Sequence, residues 1–120
     1  MRNQYCWVNL VLQGNNRVKV FVSYTLKGNE LSVGKLIKIR DYFFSQGIAS
    51  YIDYFVEKTT QENVESELKQ SDLLILVKTN SVYQSNWVRK ELELAKINHI
   101  PIYEKTYEEI MRLRFTNQIK

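Results

Sequence analysis

Two short and almost uninterrupted apolar runs constrain the fold of this chain more than any other feature. Residues 18–24 and 73–77 are rich in β-branched, aromatic and aliphatic side chains, and each run is followed by a polar loop and a segment with helical spacing. Strands that are apolar on both faces occur in parallel sheets covered by helices on both sides. The two runs are therefore predicted to be adjacent central strands of a parallel α/β sheet.

Further segments repeat this alternation of strand and helix. Apolar residues at helical spacing predict a helix within residues 30–46, which Gly47 ends, and a short strand is predicted at 48–53. Thr60 can cap a helix over 61–70, Ser85 begins another helix, and a fourth strand is predicted around 100–103. This order predicts a flavodoxin-like parallel sheet of about four to five strands with helices on both faces.

The two ends of the chain are less regular. The apolar residues 6–12 predict a possible extra N-terminal strand, which either adds an antiparallel edge or packs as an arm. Residues 108–113 are predicted to be helical, which leaves little length for a fifth strand. With 120 residues, the chain is expected to form a single domain, residues 1–120, with its core in 18–103.

Composition and charge narrow the class of protein. The single Cys6 excludes an intrachain disulfide, no Cys/His cluster has metal-ligand spacing, and no stretch suits a signal peptide or a membrane span. A cytoplasmic protein without a metal site or membrane partner is therefore expected. The net charge of +4 is modest and its cations are scattered, so nucleic-acid binding is not expected. Neither G-x-G-x-x-G nor the P-loop pattern occurs.

One carboxylate lies on an unexpected face of the helix predicted after Ser85. At about 100° per residue, Val88, Leu92 and Ala95 form the buried stripe of this helix, and Glu91 projects within roughly 60° of its centre. No cation three or four residues away can pair with Glu91. Burying such a carboxylate is costly unless a neighbour satisfies it or its chemistry is used. Glu91 is therefore a candidate catalytic residue, with a helix-dipole role as the structural alternative.

Polar and aromatic side chains follow the predicted strands at the edge where ligand crevices form in α/β proteins. They are Ser23, Tyr24, Asp53, Tyr54, Asn80, Ser81, Tyr83 and Trp87. Aromatic rings stack on flat bases, and a carboxylate can hold ribose hydroxyls and stabilise positive charge at an anomeric carbon. These residues predict a nucleotide-binding crevice, with packing at the core or rim as the alternative role of Tyr54 and Tyr83.

Taken together, these segments resemble the Toll/interleukin-1 receptor (TIR) domain family, in its bacterial, plant and axonal NADase-like branch. Residues 20–24 are similar to the first box of the family, and residues 47–53 resemble its G-x-x-x-F-x-D second strand. Residues 71–92 resemble the segment that ends in W-x-x-x-E-L, and residues 100–102 match the I-P-I-like fourth strand. The resemblance covers residues 18–103 and implies a TIR-like fold.

The resemblance also implies a function in signalling or antiviral defence. In NAD-consuming members the glutamate of W-x-x-x-E is catalytic, and this position is Glu91. An NAD nucleosidase is therefore implied, which releases nicotinamide and linear or cyclic ADP-ribose, with NAD as substrate and no cofactor. Residues expected to bind NAD are Ser23, Tyr24, Asp53, Tyr54, Ser81, Tyr83 and Trp87.

Self-association with other TIR domains is a further implication of the resemblance. The loop at residues 54–59 is expected to pack on a neighbouring domain, and its consecutive apolar residues Phe55 and Val56 suit a contact surface, with burial under the chain's own helix as the alternative. Two other functions stay open. One is a non-catalytic TIR protein-interaction module, and the other, ranked lower, is a nucleoside deoxyribosyltransferase-like enzyme.

Overall fold

A computed structural model describes residues 18–57 and 59–114 of the chain. This part contains four strands, β1 (Lys19–Ser23), β2 (Ala49–Tyr51), β3 (Leu73–Val77) and β4 (Ile102–Lys105). It also contains four α-helices, α1 (Val33–Ser45), α2 (Gln61–Lys69), α3 (Asn86–Ile97) and α4 (Tyr107–Ile110). None of these described helices has the length and apolar character that a membrane span needs.

The four strands form one parallel sheet in the order β2-β1-β3-β4. β1 and β3 are the central pair, with Phe21 opposite Leu74 and Val22 opposite Ile75. All of β3 is buried, whereas β4 at the edge has no buried residue. The predicted parallel α/β architecture, with the two apolar runs as adjacent central strands, is confirmed. The possible extra strand at 6–12 lies outside the described residues.

Each face of the sheet carries its own helices. Successive strand side chains point to opposite faces, so Val20 and Val22 share a core cluster with residues of α1 and α4 such as Phe43. Phe21 shares a second cluster with residues of α2 and α3 such as Leu68. The prediction of helices on both faces is therefore confirmed, and Ser23 lies in the same alternation as Phe21, on the face covered by α2 and α3.

The predicted helix cap at Thr60 is confirmed in the structure, and Ser85 caps the helix predicted to begin there. Thr60 Oγ1 accepts a hydrogen bond from the backbone N of Asn63 at 3.1 Å, at the start of α2. Ser85 Oγ accepts one from the backbone N of Val88 at 3.2 Å, at the start of α3. These bonds satisfy backbone donors that have no partner within the helix, so both helices begin where the sequence indicates.

Three element boundaries differ from the predicted ones. α1 begins at Val33 rather than near residue 30, because a 3-10 turn at Lys27–Asn29 precedes it. β2 ends at Tyr51 because another 3-10 turn follows at Asp53–Phe55. β4 begins at Ile102, since Pro101 has no N–H to donate to a neighbouring strand.

Candidate functional site

The centre of the site is the carboxyl group of Glu91 on α3. Glu91 is 4% exposed and lies on the buried side of α3, as its position in the helical repeat predicts. The neighbouring residues Arg89, Lys90 and Glu93 are exposed. α3 therefore places one carboxyl group inside the protein while its other charged groups face solvent.

A hydrogen bond ties Glu91 to the end of β1. Ser23 Oγ donates to Glu91 Oε1 at 2.6 Å, and both residues are buried. The pKa of Glu91 is raised from 4.5 to about 8, mainly because the carboxyl group is buried. The charge of Asp53 also raises this pKa, whereas the hydrogen bond from Ser23 and the nearby Trp87 indole lower it. Trp87 Nε1 is itself buried, and it completes no hydrogen bond with the described residues. Glu91 is therefore largely protonated at neutral pH in the free protein.

A second hydrogen bond joins the ends of β1 and β2. Tyr24 OH donates to Asp53 Oδ1 at 2.6 Å, and the backbone N–H of Tyr54 points at the Tyr24 oxygen. Burial, followed by the bond to Asp53, raises the pKa of Tyr24 well above its ordinary value. The negative charge of Asp53 also raises the pKa of Glu91. The structure thus brings Ser23, Tyr24, Asp53, Trp87 and Glu91 into one linked group.

The other predicted binding residues lie at the rim. Tyr54 and Tyr83 are each 50% exposed. Burial and the Glu104 carboxylate of β4 raise the pKa of Tyr83, which places Tyr83 beside β4. Ser81 packs against Gly28, where an added Cβ would meet Ser81 Oγ at 2.7 Å. Tyr83 therefore lies beside Glu104, and Ser81 beside Gly28.

The loop between β1 and α1 is hydrogen-bonded to the loop that follows β3. Glu30 Oε2 accepts a hydrogen bond from the backbone N of Asn80 at 3.0 Å. Gly28 has a φ of +83°, a left-handed conformation that glycine adopts without strain. Asn80, predicted in the crevice, therefore serves here as a backbone contact between the two loops.

Open space beside Glu91 lies between α2 and α3. A cavity of about 10 Å³ is bordered by Trp87 and Glu91. Four further residues border both this cavity and a groove of about 590 Å³, namely Gln61, Glu65, Lys90 and Leu94. These side chains separate Glu91 from the groove, and Asn86, Arg89 and Glu93 extend the groove outward. Of these four residues, Gln61 and Lys90 are exposed, whereas Glu65 and Leu94 are half-buried. Fast side-chain motion is therefore expected at Gln61 and Lys90.

The groove residues were missed by sequence reasoning. Gln61 and Glu65 occupy one face of α2, and Arg89 and Lys90 lie among the solvated residues of α3. In each helix alone, such residues have the pattern of an ordinary exposed face. Their common groove arises only when α2 and α3 pack side by side, which no short-range spacing reveals.

The loop after β2 packs against its own domain. Phe55 and Val56 are half-buried, Phe55 against the α1-side cluster and Val56 against the α2 and α3 cluster. The Arg40 guanidinium carbon stands 4.6 Å from the Phe55 ring centroid, a cation–π distance. The predicted alternative for Phe55 and Val56, packing within their own domain, is observed in part, because both side chains stay half-exposed. A contact of this loop with a neighbouring domain stays a prediction.

Replacing Phe55 by serine is expected to destabilise the domain by about 2 kcal/mol, because the ring loses apolar burial and its contact with Arg40. The matched variant Tyr54→Ser removes a half-exposed ring from the adjacent position, and it is expected to cost under about 1 kcal/mol. Urea unfolding curves of both variants measure the difference. Equal losses would contradict the packing role of Phe55.

Among solved structures, this chain is similar to the TIR domains of the activated Roq1 resistosome. That resistosome is described as directly recognizing the pathogen effector XopQ. The identity is 15% and the TM-score 0.58, and the match covers 72% of this chain and 55% of the Roq1 chain. This chain thus spans about half the length of the matched one. No family profile and no curated protein matches the sequence. The likeness shows that the fold is TIR-like, and the NADase-like branch stays a prediction.

Proposed function

We propose that this TIR-like domain cleaves the bond between nicotinamide and ribose in NAD, with Glu91 as the catalytic carboxylate. The observation that supports this most directly is the Glu91 carboxyl group, 4% exposed and held by Ser23 Oγ at 2.6 Å. It borders a cavity whose walls continue into a groove between α2 and α3. Such chemistry needs a positioned carboxyl group that a ligand can reach, and the groove lies one layer of side chains away from Glu91.

The reaction needs one stabilising charge rather than an acid and a base. The bond between ribose C1′ and the nicotinamide nitrogen breaks, and its electron pair leaves with nicotinamide, which departs as a neutral molecule. Positive charge develops at C1′ and the ring oxygen, where an ionised Glu91 stabilises it. Water then attacks C1′ and releases one proton to solvent to give ADP-ribose. Attack by a hydroxyl group of the same molecule, which likewise releases its proton to solvent, gives a cyclic product.

The raised pKa of Glu91 favours a cationic substrate. With a pKa of about 8, the free carboxyl group is mostly neutral at pH 7. A nicotinamide ring carrying positive charge beside Glu91 favours the ionised form of the carboxyl group. Substrate binding therefore generates the carboxylate where it is used. An uncharged nucleoside supplies no such charge, which favours NAD over the substrates of a deoxyribosyltransferase-like enzyme.

The surrounding residues have supporting roles in this proposal. Ser23 positions the Glu91 carboxyl group by donating a hydrogen bond to it. Tyr24 holds the Asp53 side chain, whose charge raises the pKa of Glu91. The half-exposed rings of Tyr54 and Tyr83 are available to stack on a base. Trp87 and Ser81 complete the proposed set. We place the activity in cytoplasmic signalling or defence.

The test is incubation of the purified chain with NAD, followed by chromatography for free nicotinamide and for linear and cyclic ADP-ribose. Time-dependent release of nicotinamide by the wild-type chain supports the proposal. If no nicotinamide is released at high protein concentration, the proposal of NAD cleavage is wrong. The ratio of linear to cyclic product decides between water and an internal hydroxyl as the attacking group.

The closed surroundings of Glu91 support a second candidate, a non-catalytic protein-interaction module. The cavity of about 10 Å³ beside the carboxyl group has room for about one water molecule. In that case Glu91 serves as a buried structural group held by Ser23. The matched TIR domains belong to a resistosome, and we extend self-association to this chain as part of either candidate.

Turnover per chain is expected to rise with protein concentration if assembly completes the site, because a packed neighbour would exclude water from the groove that leads to Glu91. The measurement is nicotinamide release per chain across a wide dilution series, with light scattering for the oligomeric state. A flat rate from a chain that stays monomeric would refute the role of assembly. Association without nicotinamide release would favour the interaction module.

A further inference from the structure

The groove between α2 and α3 carries charges that the cleavage step does not use. Arg89 and Lys90 supply two cations, and Glu65 and Glu93 supply two carboxylates, around a volume of about 590 Å³. Ligand pockets commonly span about 300–1,000 Å³. A ligand suited to this groove has phosphate groups that pair with the two cations. It also has hydroxyl groups that donate hydrogen bonds to the two carboxylates.

The position of Lys90 matches the position of one phosphate in a dinucleotide. Lys90 borders both the groove and the cavity beside Glu91, whereas Arg89 and Glu93 border the groove alone. Lys90 is therefore the first cation met on leaving Glu91. In NAD the first phosphate is attached to the ribose whose C1′ is cleaved, and the second ribose lies beyond the pyrophosphate.

The two helix N-termini add to the attraction for phosphate. Gln61 is the first residue of α2 and Asn86 the first residue of α3, and both line the groove. The amino end of a helix carries partial positive charge and backbone N–H groups that favour anions. In each of these two helices, the Thr60 or Ser85 cap already accepts a hydrogen bond from one of these N–H groups.

The two cations differ in how far they are already engaged. Arg89 donates through its guanidinium to the Tyr83 carbonyl oxygen and to Asn86 Oδ1. Lys90 is exposed and forms no ion pair with the described residues. A ligand phosphate can therefore bind the Lys90 ammonium without displacing a protein partner.

We infer that this groove binds the pyrophosphate and outer ribose of a dinucleotide, and that Lys90 contacts the phosphate next to the cleaved ribose. Glu93, farther along the groove, faces the outer ribose hydroxyls. Lys90 then acts as a specificity residue that selects nucleotides over nucleosides. This inference rests on the proposed cleavage of NAD by Glu91.

The test compares NAD with nicotinamide riboside, which has the same scissile bond and no phosphate. Lys90→Gln is expected to raise the KM for NAD on the order of tenfold, the loss of one charged contact, and to leave kcat unchanged. Its KM for nicotinamide riboside is expected to stay within about twofold. The matched control is Lys96→Gln, an exposed lysine on the same helix outside the groove, and it is expected to change neither KM.

An unchanged KM for NAD in Lys90→Gln, or an equal rise for both substrates, would overturn the inference. If the wild type cleaves neither substrate, NAD cleavage fails and the groove is tested separately by calorimetric titration with ADP-ribose. Binding that weakens on the order of tenfold in Lys90→Gln and is unaffected in Lys96→Gln supports the groove. No binding of ADP-ribose by the wild type, or equal binding by all three proteins, overturns it.

Discussion

Replacing Glu91 by glutamine is expected to slow nicotinamide release from NAD by about a hundredfold or more while leaving the fold intact. The amide is nearly isosteric, and its oxygen can still accept the hydrogen bond that Ser23 Oγ makes to Glu91 at 2.6 Å. It cannot carry the negative charge that stabilises the developing cation. The measurement is the rate at saturating NAD, with circular dichroism as the check on folding.

Glu62→Gln is the matched control for this loss of activity. Glu62 is an exposed carboxylate in the first turn of α2, outside the groove lining. The same chemical change there is expected to leave the rate within about twofold, since surface substitutions have small effects. If Glu91→Gln and Glu62→Gln release nicotinamide at the wild-type rate, Glu91 has a structural role alone.

The same Glu91→Gln substitution is expected to stabilise the protein at alkaline pH. Burial raises the pKa of Glu91 from 4.5 to about 8, so the folded chain keeps a proton that the unfolded chain releases. Between these two values, rising pH therefore favours the unfolded state. The stability present below about pH 4.5 is progressively lost, and the loss is complete above about pH 8.

The size of this effect makes it measurable. The difference between the pKa values of 4.5 and about 8, at about 1.4 kcal/mol per pH unit, corresponds to a loss of stability on the order of 5 kcal/mol at pH 9. Glutamine does not ionise, so Glu91→Gln and the wild type should have similar free energies of unfolding near pH 4.5 and differ by several kcal/mol at pH 9. Urea unfolding at both pH values measures this. A difference independent of pH would contradict the buried, neutral state of Glu91.

A single residue would thus link activity and stability. The carboxyl group that stabilises the reacting ribose is also the group whose ionisation weakens the fold. Functional sites often retain groups that lower stability. Loss of turnover in Glu91→Gln distinguishes a catalytic Glu91 from a structural one, whereas the gain in alkaline stability follows from burial of the carboxyl group in either case.

The sheet and the burial of Glu91 follow from short-range patterns. β3 is a continuous apolar run and β1 a nearly continuous one, and the helical repeat of α3 places Glu91 beside Val88 and Ala95, which are buried as well. These features depend on residues that are neighbours in the sequence. The partner of Glu91 does not, since Ser23 is 68 residues away and meets it through the packing of α3 on β1.

The loop after β2 and the groove show where sequence patterns are ambiguous. Two consecutive apolar residues, Phe55 and Val56, fit an interface and a buried loop equally well, and the position of Arg40 over the Phe55 ring becomes known only from the packed helix. Likewise, Lys90 has the pattern of a solvated lysine until α2 and α3 are placed side by side. Tertiary packing, rather than residue type, gives these side chains their surroundings.

The most direct test of catalysis by Glu91 is the time course of nicotinamide release from NAD, measured side by side for the wild type and Glu91→Gln at several protein concentrations. The wild type is expected to release nicotinamide in proportion to time, and Glu91→Gln to stay near the rate without protein. Equal release by the two proteins, or none from the wild type at the highest concentration, would contradict the proposed function.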